Sequence, residues 1–147
     1  MNMNLKPKQD ASINALTEII VDEIFQTYFM YGPGLFERVY EATLAGRLRS
    51  RGLKVERQKK IFISNEYVEN EPAFVADLII EELVVIELKS VAELEKVMFK
   101  QLRSYLKLLD LRVGFLVNFN SSFLKKDIHR ITNKYDEKLH GFENAEL

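Results

Sequence analysis

Residues 74–90 read FVADLIIEELVVIELKS. Two apolar runs rich in β-branched residues flank the short polar break at Glu81 and Glu82, and this pattern predicts a β-hairpin. The second run is apolar on both faces until Glu87, which is typical of a central strand covered by helices. We therefore expect this stretch to form two paired strands in the middle of a sheet.

Three charged side chains interrupt this apolar stretch. Side chains alternate along a strand, so Glu87 and Lys89 should share one face, and hairpin pairing should bring Asp77 level with Glu87 or within a residue or two. An unpaired buried carboxylate costs several kcal/mol or protonates through a raised pKa. Two of them at one place predict a neutralising cation, whereas a salt bridge from Lys89 to both acids is the structural alternative.

Carboxylate, carbonyl and water oxygens are the ligands that Mg²⁺ and Mn²⁺ prefer, and Mg²⁺ commonly uses one or two protein carboxylates. Asp77, Glu87 and the carbonyl oxygen of Leu88 could supply such a set. Lys89 could then position or deprotonate a water that attacks a phosphorus atom, with the ion lowering the pKa of that water. The hypothesis from these residues is hydrolysis of a phosphate ester.

The composition restricts the classes of protein to which this chain can belong. The 147 residues suit one domain, with 47% apolar and 29% charged residues as in an ordinary globular protein. Cysteine is absent, which excludes disulfides, thiolate zinc sites and cysteine nucleophiles. The net charge of −1 argues against a highly basic nucleic-acid coat protein and leaves room for a local basic patch.

No membrane partner is expected, because no apolar run approaches the roughly 20 residues that span a bilayer. Residues 1–6 carry no apolar signal core, so a cytoplasmic location is expected. We divide the chain into a frayed N-terminus over 1–11, a single domain over 12–133 and a C-terminal tail over 134–147.

Hydrophobic periodicity predicts an α/β fold with a mixed central sheet of about four strands and helices on both faces. The predicted elements are helices over 12–30, 35–51 and 93–109, strands over 53–63 and 112–119 besides the central hairpin, and a short edge strand over 128–131.

Two helices carry further candidates. Glu37 and Glu41 lie four residues apart on the second helix, where an ordinary acidic first turn is the structural explanation. Gln101 on the third helix could reach a water on the metal or a phosphate, and Tyr105 lies four residues beyond it on the same face. A surface glutamine and a half-buried core tyrosine are the alternative.

A basic run between residues 47 and 60 is either a rim that contacts phosphates or a solvated helix end followed by a charged edge strand. The candidate nucleic-acid contacts are Arg47, Arg51, Lys54, Arg57, Lys59 and Tyr105.

Several spaced motifs together resemble the GxxExxY protein family of bacteria and archaea. Residues 34–40 match its Gly-x-x-Glu-x-x-Tyr signature. The other motifs follow in that family's order over roughly residues 12–132: Arg57-Gln58, Ala76-Asp77-Leu78, Ile86-Glu87-Leu88-Lys89, Gln101-Leu102-x-x-Tyr105-Leu106-Lys107 and Gly114-Phe115-Leu116-Val117-Asn118-Phe119. This family looks like a branch of the PD-(D/E)xK nuclease superfamily, which implies a restriction-endonuclease-like core.

The resemblance also implies roles. Glu37 resembles the superfamily's acidic residue on the first core helix, Asp77 its central metal-binding aspartate, and Gln101 the glutamine of the following helix. Glu87 and Lys89 resemble its E-x-K pair. The residue before Asp77 is alanine in place of proline, a position that shapes a turn and binds no metal.

The implied protein is a Mg²⁺- or Mn²⁺-dependent nuclease that hydrolyses phosphodiester bonds in nucleic acid, with DNA as the expected substrate. A non-cleaving module that binds nucleic acid or a partner through the same fold is the alternative. The exposed faces of helices 12–30 and 93–109 could also pair two chains in a homodimer.

Overall fold

A computed structural model describes residues 7–133, with side chains from Ser12 onward. The elements are α1 (Pro7–Tyr31), α2 (Glu37–Ser50), β1 (Val55–Ile63), β2 (Glu71–Ile80), β3 (Val84–Lys89), α3 (Lys96–Leu109), β4 (Val113–Asn118), a short 3₁₀ turn (Leu124–Asp127) and β5 (Ile128–Thr132).

The five strands form one sheet in the order β1-β2-β3-β4-β5. β3 and β4 are parallel, and the other neighbouring pairs are antiparallel. The predicted α/β class with a mixed sheet is therefore confirmed. The fifth strand is the short edge strand that the pattern predicts over 128–131.

Helices cover both faces of the sheet. α1 and α2 pack on one face, where Ile86 and Leu88 join a core with Ile20 and Leu44. α3 packs on the other face, where Val85 contributes to a second core with Leu102 and Leu106. β3 lies between these layers with Val84–Leu88 buried, as its two-sided apolar sequence predicts.

The β2–β3 turn sets the register of the central hairpin. Glu81 and Glu82 have φ angles of 53° and 55°, left-handed values that are typical of hairpin turns, and three residues, Glu81–Leu83, separate the paired Ile80 and Val84. Leu83 N–H donates to the carbonyl of Ile80 over 2.9 Å. Leu78 consequently pairs with Ile86, so Asp77 stands level with Glu87 one position further along.

A kink in the β1–β2 ribbon lies beside Asp77. Leu78 packs towards α1 and α2, whereas Ala76, two residues earlier, packs towards α3. Residues two apart on a regular strand share a face, so β2 must change face at Asp77. In β1 the ladder skips Gln58, the residue level with Asp77, and Gln58 has a φ of 49°.

Two predicted helix starts are wrong. α1 begins at Pro7 and not at residue 12, so residues 7–11, predicted to be frayed, are helical; proline suits a first helical turn because its φ is already near −65°. α3 begins at Lys96 and not at residue 93. The Asn118 side chain accepts a hydrogen bond from Val91 N–H over 3.1 Å and donates one to Val91 C=O over 3.0 Å. These bonds hold the segment before α3 in a non-helical path.

Residues 1–6 and the predicted tail over 134–147 lie outside the described residues. Within residues 7–133, no helix combines the length and apolar character needed to cross a membrane.

Gly114 on β4 lets α3 approach the sheet closely. A Cβ there would lie 3.2 Å from the Val85 carbonyl oxygen and 3.2 Å from Leu102 Cδ1, and backbone cannot yield as a side-chain end can. We expect Gly114→Ala to lower the free energy of unfolding by about 1–3 kcal/mol through overpacking. Chemical denaturation measures this change.

Gly46 supplies the matched control, because it is exposed on α2 and a Cβ there would meet nothing within 4 Å. Gly46→Ala should raise the free energy of unfolding by about 0.5–1 kcal/mol through helix propensity. Equal effects of the two substitutions would contradict the close approach of α3 to β4.

Candidate active site

The site is organised by two acids on neighbouring strands. Beyond the Leu78–Ile86 pair the β2–β3 ladder ends, and side-chain carboxylates accept the next main-chain hydrogen bonds. Asp77 N–H donates to Glu87 Oε1 over 3.1 Å, and Leu88 N–H donates to Asp77 Oδ2 over 2.9 Å. The two acids therefore meet where the strands separate.

Burial makes this pair hard to ionise. Glu87 is only 8% exposed, and burial raises its pKa to about 8, with the neighbouring Asp77 charge adding to the effect. Burial also raises the pKa of Asp77, against the lowering effect of the hydrogen bonds from Leu88 and Gln58. Both carboxylates can be charged at neutral pH only if positive charge compensates them.

A third acid joins the pair through a glutamine. Gln58 Nε2 donates to Asp77 Oδ1 over 3.1 Å and also to Glu41 Oε1. Glu41, on α2, is buried, and its other oxygen accepts from Arg57 at 3.0 Å. Gln58 thus links α2 to the central hairpin across the kink in β1.

Sequence reasoning assigned no site role to Glu41 or Gln58. The four-residue spacing between Glu37 and Glu41 was the signal for Glu41, since it puts both on one helix face. For Gln58 the only signal was the Arg57-Gln58 motif of the resemblance, because its reach depends on a left-handed backbone that glutamine seldom adopts.

A small cleft of about 110 Å³ opens beside these residues. Glu37, the predicted acid of α2, lines it and is exposed. Arg38, a residue that the sequence did not single out, lines it as well. The remaining lining residues are Glu41, Gln58, Asp77 and Leu88.

Lys89 lies close to the acid pair, and its charge lowers the pKa of Glu87. Within residues 12–133 no hydrogen bond or ion pair joins Lys89 to either carboxylate, so the salt-bridge alternative is not what this structure contains.

The two α3 candidates differ. Tyr105 is half-buried, stacks on Phe74 with ring centroids 3.8 Å apart, and has a pKa raised by burial and by the charges of Glu87 and Asp77. Gln101 is exposed on the same helix. It makes no hydrogen bond to the acid pair within the described part of the chain.

Each basic candidate contact is part of an ion pair. Arg47 contacts Glu23 at 2.9 Å, and Arg51 lies 3.7 Å from both Asp22 and Glu23. Glu23 is buried, so these two arginines neutralise an acid that joins α1 to α2.

The remaining three basic residues lie near or on β1. Arg57 pairs with the buried Glu41, Lys54 with Glu82 at 2.6 Å, and Lys59 with Glu56. The lysine pairs are more exposed than the arginine pairs with Glu23 and Glu41, and exposed pairs contribute only about 0–1 kcal/mol.

The donor set suits a hard divalent ion. Among residues 12–133, acidic, histidine and cysteine side chains form no cluster of three arranged to hold a metal, so Glu37 is not gathered with Asp77 and Glu87. The site offers two carboxylates and the main-chain oxygen of Leu88. Mg²⁺ commonly takes one or two protein carboxylates and keeps several waters, which fits this set.

A sequence model of the PD-(D/E)XK nuclease superfamily matches residues 14–131. The chain belongs to the PD-(D/E)XK nuclease superfamily. Comparisons with curated proteins and with solved structures give no match. The match spans α2, both strands of the central hairpin and α3, and so includes every residue of the cleft.

The raised pKa of Glu87 predicts a pH-dependent stability. Between its ordinary pKa of 4.5 and about 8, the folded chain keeps a proton that the unfolded chain releases, so the free energy of unfolding should fall as pH rises and level off above about 8. Glu87→Gln should remove this fall and be more stable than wild type by a few kcal/mol at pH 8–9.

Denaturant titrations from pH 4 to 9 with a chelator present measure the effect. The exposed Glu93 provides a control substitution, Glu93→Gln, which should keep the wild-type pH dependence. A Glu87→Gln curve parallel to wild type would contradict the burial of an uncompensated carboxyl.

Proposed function

We propose that this chain is a divalent-metal-dependent nuclease that hydrolyses phosphodiester bonds in DNA. The observation that carries the proposal is the pairing of the half-buried Asp77 with the buried Glu87 across two strands, close to Lys89 and with Asp77 lining a cleft. An acid pair of this kind destabilises the folded chain when it is left without a cation. Superfamily membership supports the reaction class.

Asp77, Glu87 and the carbonyl oxygen of Leu88 would hold Mg²⁺ or Mn²⁺, with Glu37 contributing directly or through water. When bound, such an ion neutralises phosphate charge and lowers the pKa of water. Gln58 and Leu88 N–H would fix the Asp77 carboxylate, since they already donate to its two oxygens. Positioned groups of this kind need little reorganisation during the reaction.

Lys89 would orient the attacking water and stabilise the negative charge that develops on the phosphoryl oxygens. Its ammonium group is available for this because no carboxylate pairs with it among the described residues. Gln101, exposed on α3, would support a phosphate or water from the opposite side, and Tyr105 would contact the nucleic acid near the acid pair.

For contacts to the phosphate backbone of the nucleic acid we favour Lys54 and Lys59, together with Arg38 in the cleft. The lysines sit in exposed ion pairs, which are weak enough to exchange for phosphates. Arg47, Arg51 and Arg57 have buried acidic partners. Moving Arg47 or Arg57 to a phosphate would break the shortest ion pair of a buried carboxylate, which costs several kcal/mol.

We further propose that the chain falls in the GxxExxY branch. The Tyr40 hydroxyl donates to Gly32 C=O over 2.7 Å and accepts from Leu35 N–H over 3.1 Å. The tyrosine of the motif would then hold the loop before α2, and Glu37 would face the cleft.

Strand cleavage with Mn²⁺ tests the enzyme proposal. Wild type should cleave DNA, and both Asp77→Asn and Lys89→Ala should lower the rate by at least about 100-fold, because each removes transition-state charge stabilisation. Lys96→Ala is the control, since Lys96 is an exposed lysine on α3. This variant should cleave like wild type.

Circular dichroism of every variant checks that the fold is intact. The proposal fails if purified wild type cleaves no nucleic acid in any form, or if Asp77→Asn cleaves at the wild-type rate. Nucleic-acid binding without cleavage would favour the non-cleaving module.

Calorimetry with Mn²⁺ tests the metal site independently of activity. Wild type should bind the ion and, at pH 7, release close to one proton, because the pKa of Glu87 near 8 leaves that pair protonated before binding. Glu87→Gln should bind at least about ten-fold more weakly and lose the proton release.

Titrations in two buffers of different ionisation enthalpy give the proton count. Glu37→Gln should weaken binding less, since Glu37 is not clustered with the acid pair. Binding by Glu87→Gln that matches wild type in affinity and proton release would refute the assignment.

A further inference from the structure

Phe36 is the most exposed of the large apolar side chains in the described part of the chain, at 85%. It is the residue before the first turn of α2. Within residues 12–133 no aromatic ring or cation packs on it. Exposed apolar side chains that stand singly are common on proteins, so the position of Phe36 in the fold, and not its exposure alone, has to indicate a role.

The backbone directly before Phe36 is fixed by two hydrogen bonds. Leu35 N–H donates to the Tyr40 hydroxyl, and Leu35 C=O accepts from the Ser90 hydroxyl over 2.8 Å. Tyr40 itself is fully buried and stacks on Phe119 with centroids 4.6 Å apart. The exposure of Phe36 is therefore built into a braced loop.

The chain order and these contacts put Phe36 next to the cleft. Ser90, which holds the residue before Phe36, directly follows Lys89. Glu37 and Arg38, which follow Phe36, line the cleft together with Asp77. Phe36 is therefore the exposed aromatic residue that directly adjoins two cleft residues in the chain.

The size of the cleft limits what can enter. Its volume of about 110 Å³ holds roughly four water molecules at ~30 Å³ each, which suits one phosphate group with its solvation. Sites that enclose a drug-sized ligand measure about 300–1,000 Å³. The bases that flank the phosphate are larger than this cleft, so exposed side chains beside it, such as Phe36, are the candidates to contact them.

We propose that Phe36 is a stacking platform for an unpaired base next to the phosphodiester in the cleft, so that single-stranded nucleic acid is preferred over continuous duplex. The proposal rests on the proposed nuclease function and specifies its substrate class. A base stacks on an aromatic ring only if its face is free, which it is in a single strand and is not inside a duplex. Arg38 would contact the adjoining phosphate.

Tyr105, across the acid pair, is less suited to this role. One face of its ring already stacks on Phe74 at 3.8 Å, and its side chain is half-buried. Phe36 has neither restriction.

Fluorescence anisotropy in a chelator, where no cleavage occurs, tests the proposal with a labelled oligothymidine and the matching duplex. Phe36→Ala should bind the single strand about ten-fold more weakly and the duplex unchanged. Phe36→Tyr should restore single-strand binding. The control Phe62→Ala removes another exposed aromatic, half exposed on β1, and should bind both like wild type.

An oligonucleotide with one abasic position reports stacking directly. Wild type should bind this oligonucleotide about ten-fold more weakly than the intact one when the missing base is the one beside the cleft. Phe36→Ala should bind the abasic and the intact oligonucleotide equally. Absent single-strand binding by wild type, equal binding by Phe36→Ala, or an equal loss for single strand and duplex would each overturn the proposal.

Sedimentation of wild type and Phe36→Ala tests whether Phe36 instead contributes to an interface between two protein chains. If the substitution converts a dimer to a monomer, Phe36 belongs to an interface between two copies and the proposal is overturned. If wild type cleaves but its single-strand preference does not depend on Phe36, only this inference is overturned. If the preference depends on Phe36 but no nucleic acid in any form is cleaved, the nuclease function is overturned and Phe36 remains a binding residue.

Discussion

The constraint on which this structure depends is the use of two carboxylates, one buried and one half-buried, as main-chain hydrogen-bond acceptors. Asp77 and Glu87 accept from the N–H groups of Leu88 and Asp77 where the ladder between β2 and β3 ends. Each N–H is satisfied, which a buried backbone requires. The consequence is that two acids stand together in a place with little water to solvate them.

The surroundings stabilise this arrangement without neutralising it. Gln58 donates to both Asp77 and Glu41, and it does so from a left-handed backbone position, a conformation that costs of order 1 kcal/mol for a residue with a side chain. Strain of this kind persists only where the surrounding structure determines it. The kink that it produces is what turns β2 at Asp77.

Positive charge is distributed unevenly around the fold. The arginines of α2 and β1 pair with the buried acids Glu23 and Glu41, whereas the pair of Asp77 and Glu87 has Lys89 nearby but not bonded to it. Glu23 and Glu41 are thus neutralised within the protein, and Asp77 and Glu87 have no ion-pair partner among the described residues. An acid pair left in this state is what distinguishes the proposed site from an ordinary buried ion pair.

The sequence by itself determined the sheet, the two-sided burial of β3 and the meeting of Asp77 with Glu87. These follow from local periodicity and from a tight turn near Glu81, which brings Asp77 to within a residue or two of Glu87; burial of one face then fixes the register, because a slip by one residue would turn every side chain to the other face. Tertiary structure alone decided the parts that depend on distant segments. The later start of α3 follows from the hydrogen bonds between Asn118 and Val91. The link from Glu41 to Asp77 depends on the left-handed backbone of Gln58. The arginines of the basic run are paired because α1 and α2 bring acids next to them. No local pattern encodes such contacts, since each is set by where the packed layers bring two remote side chains.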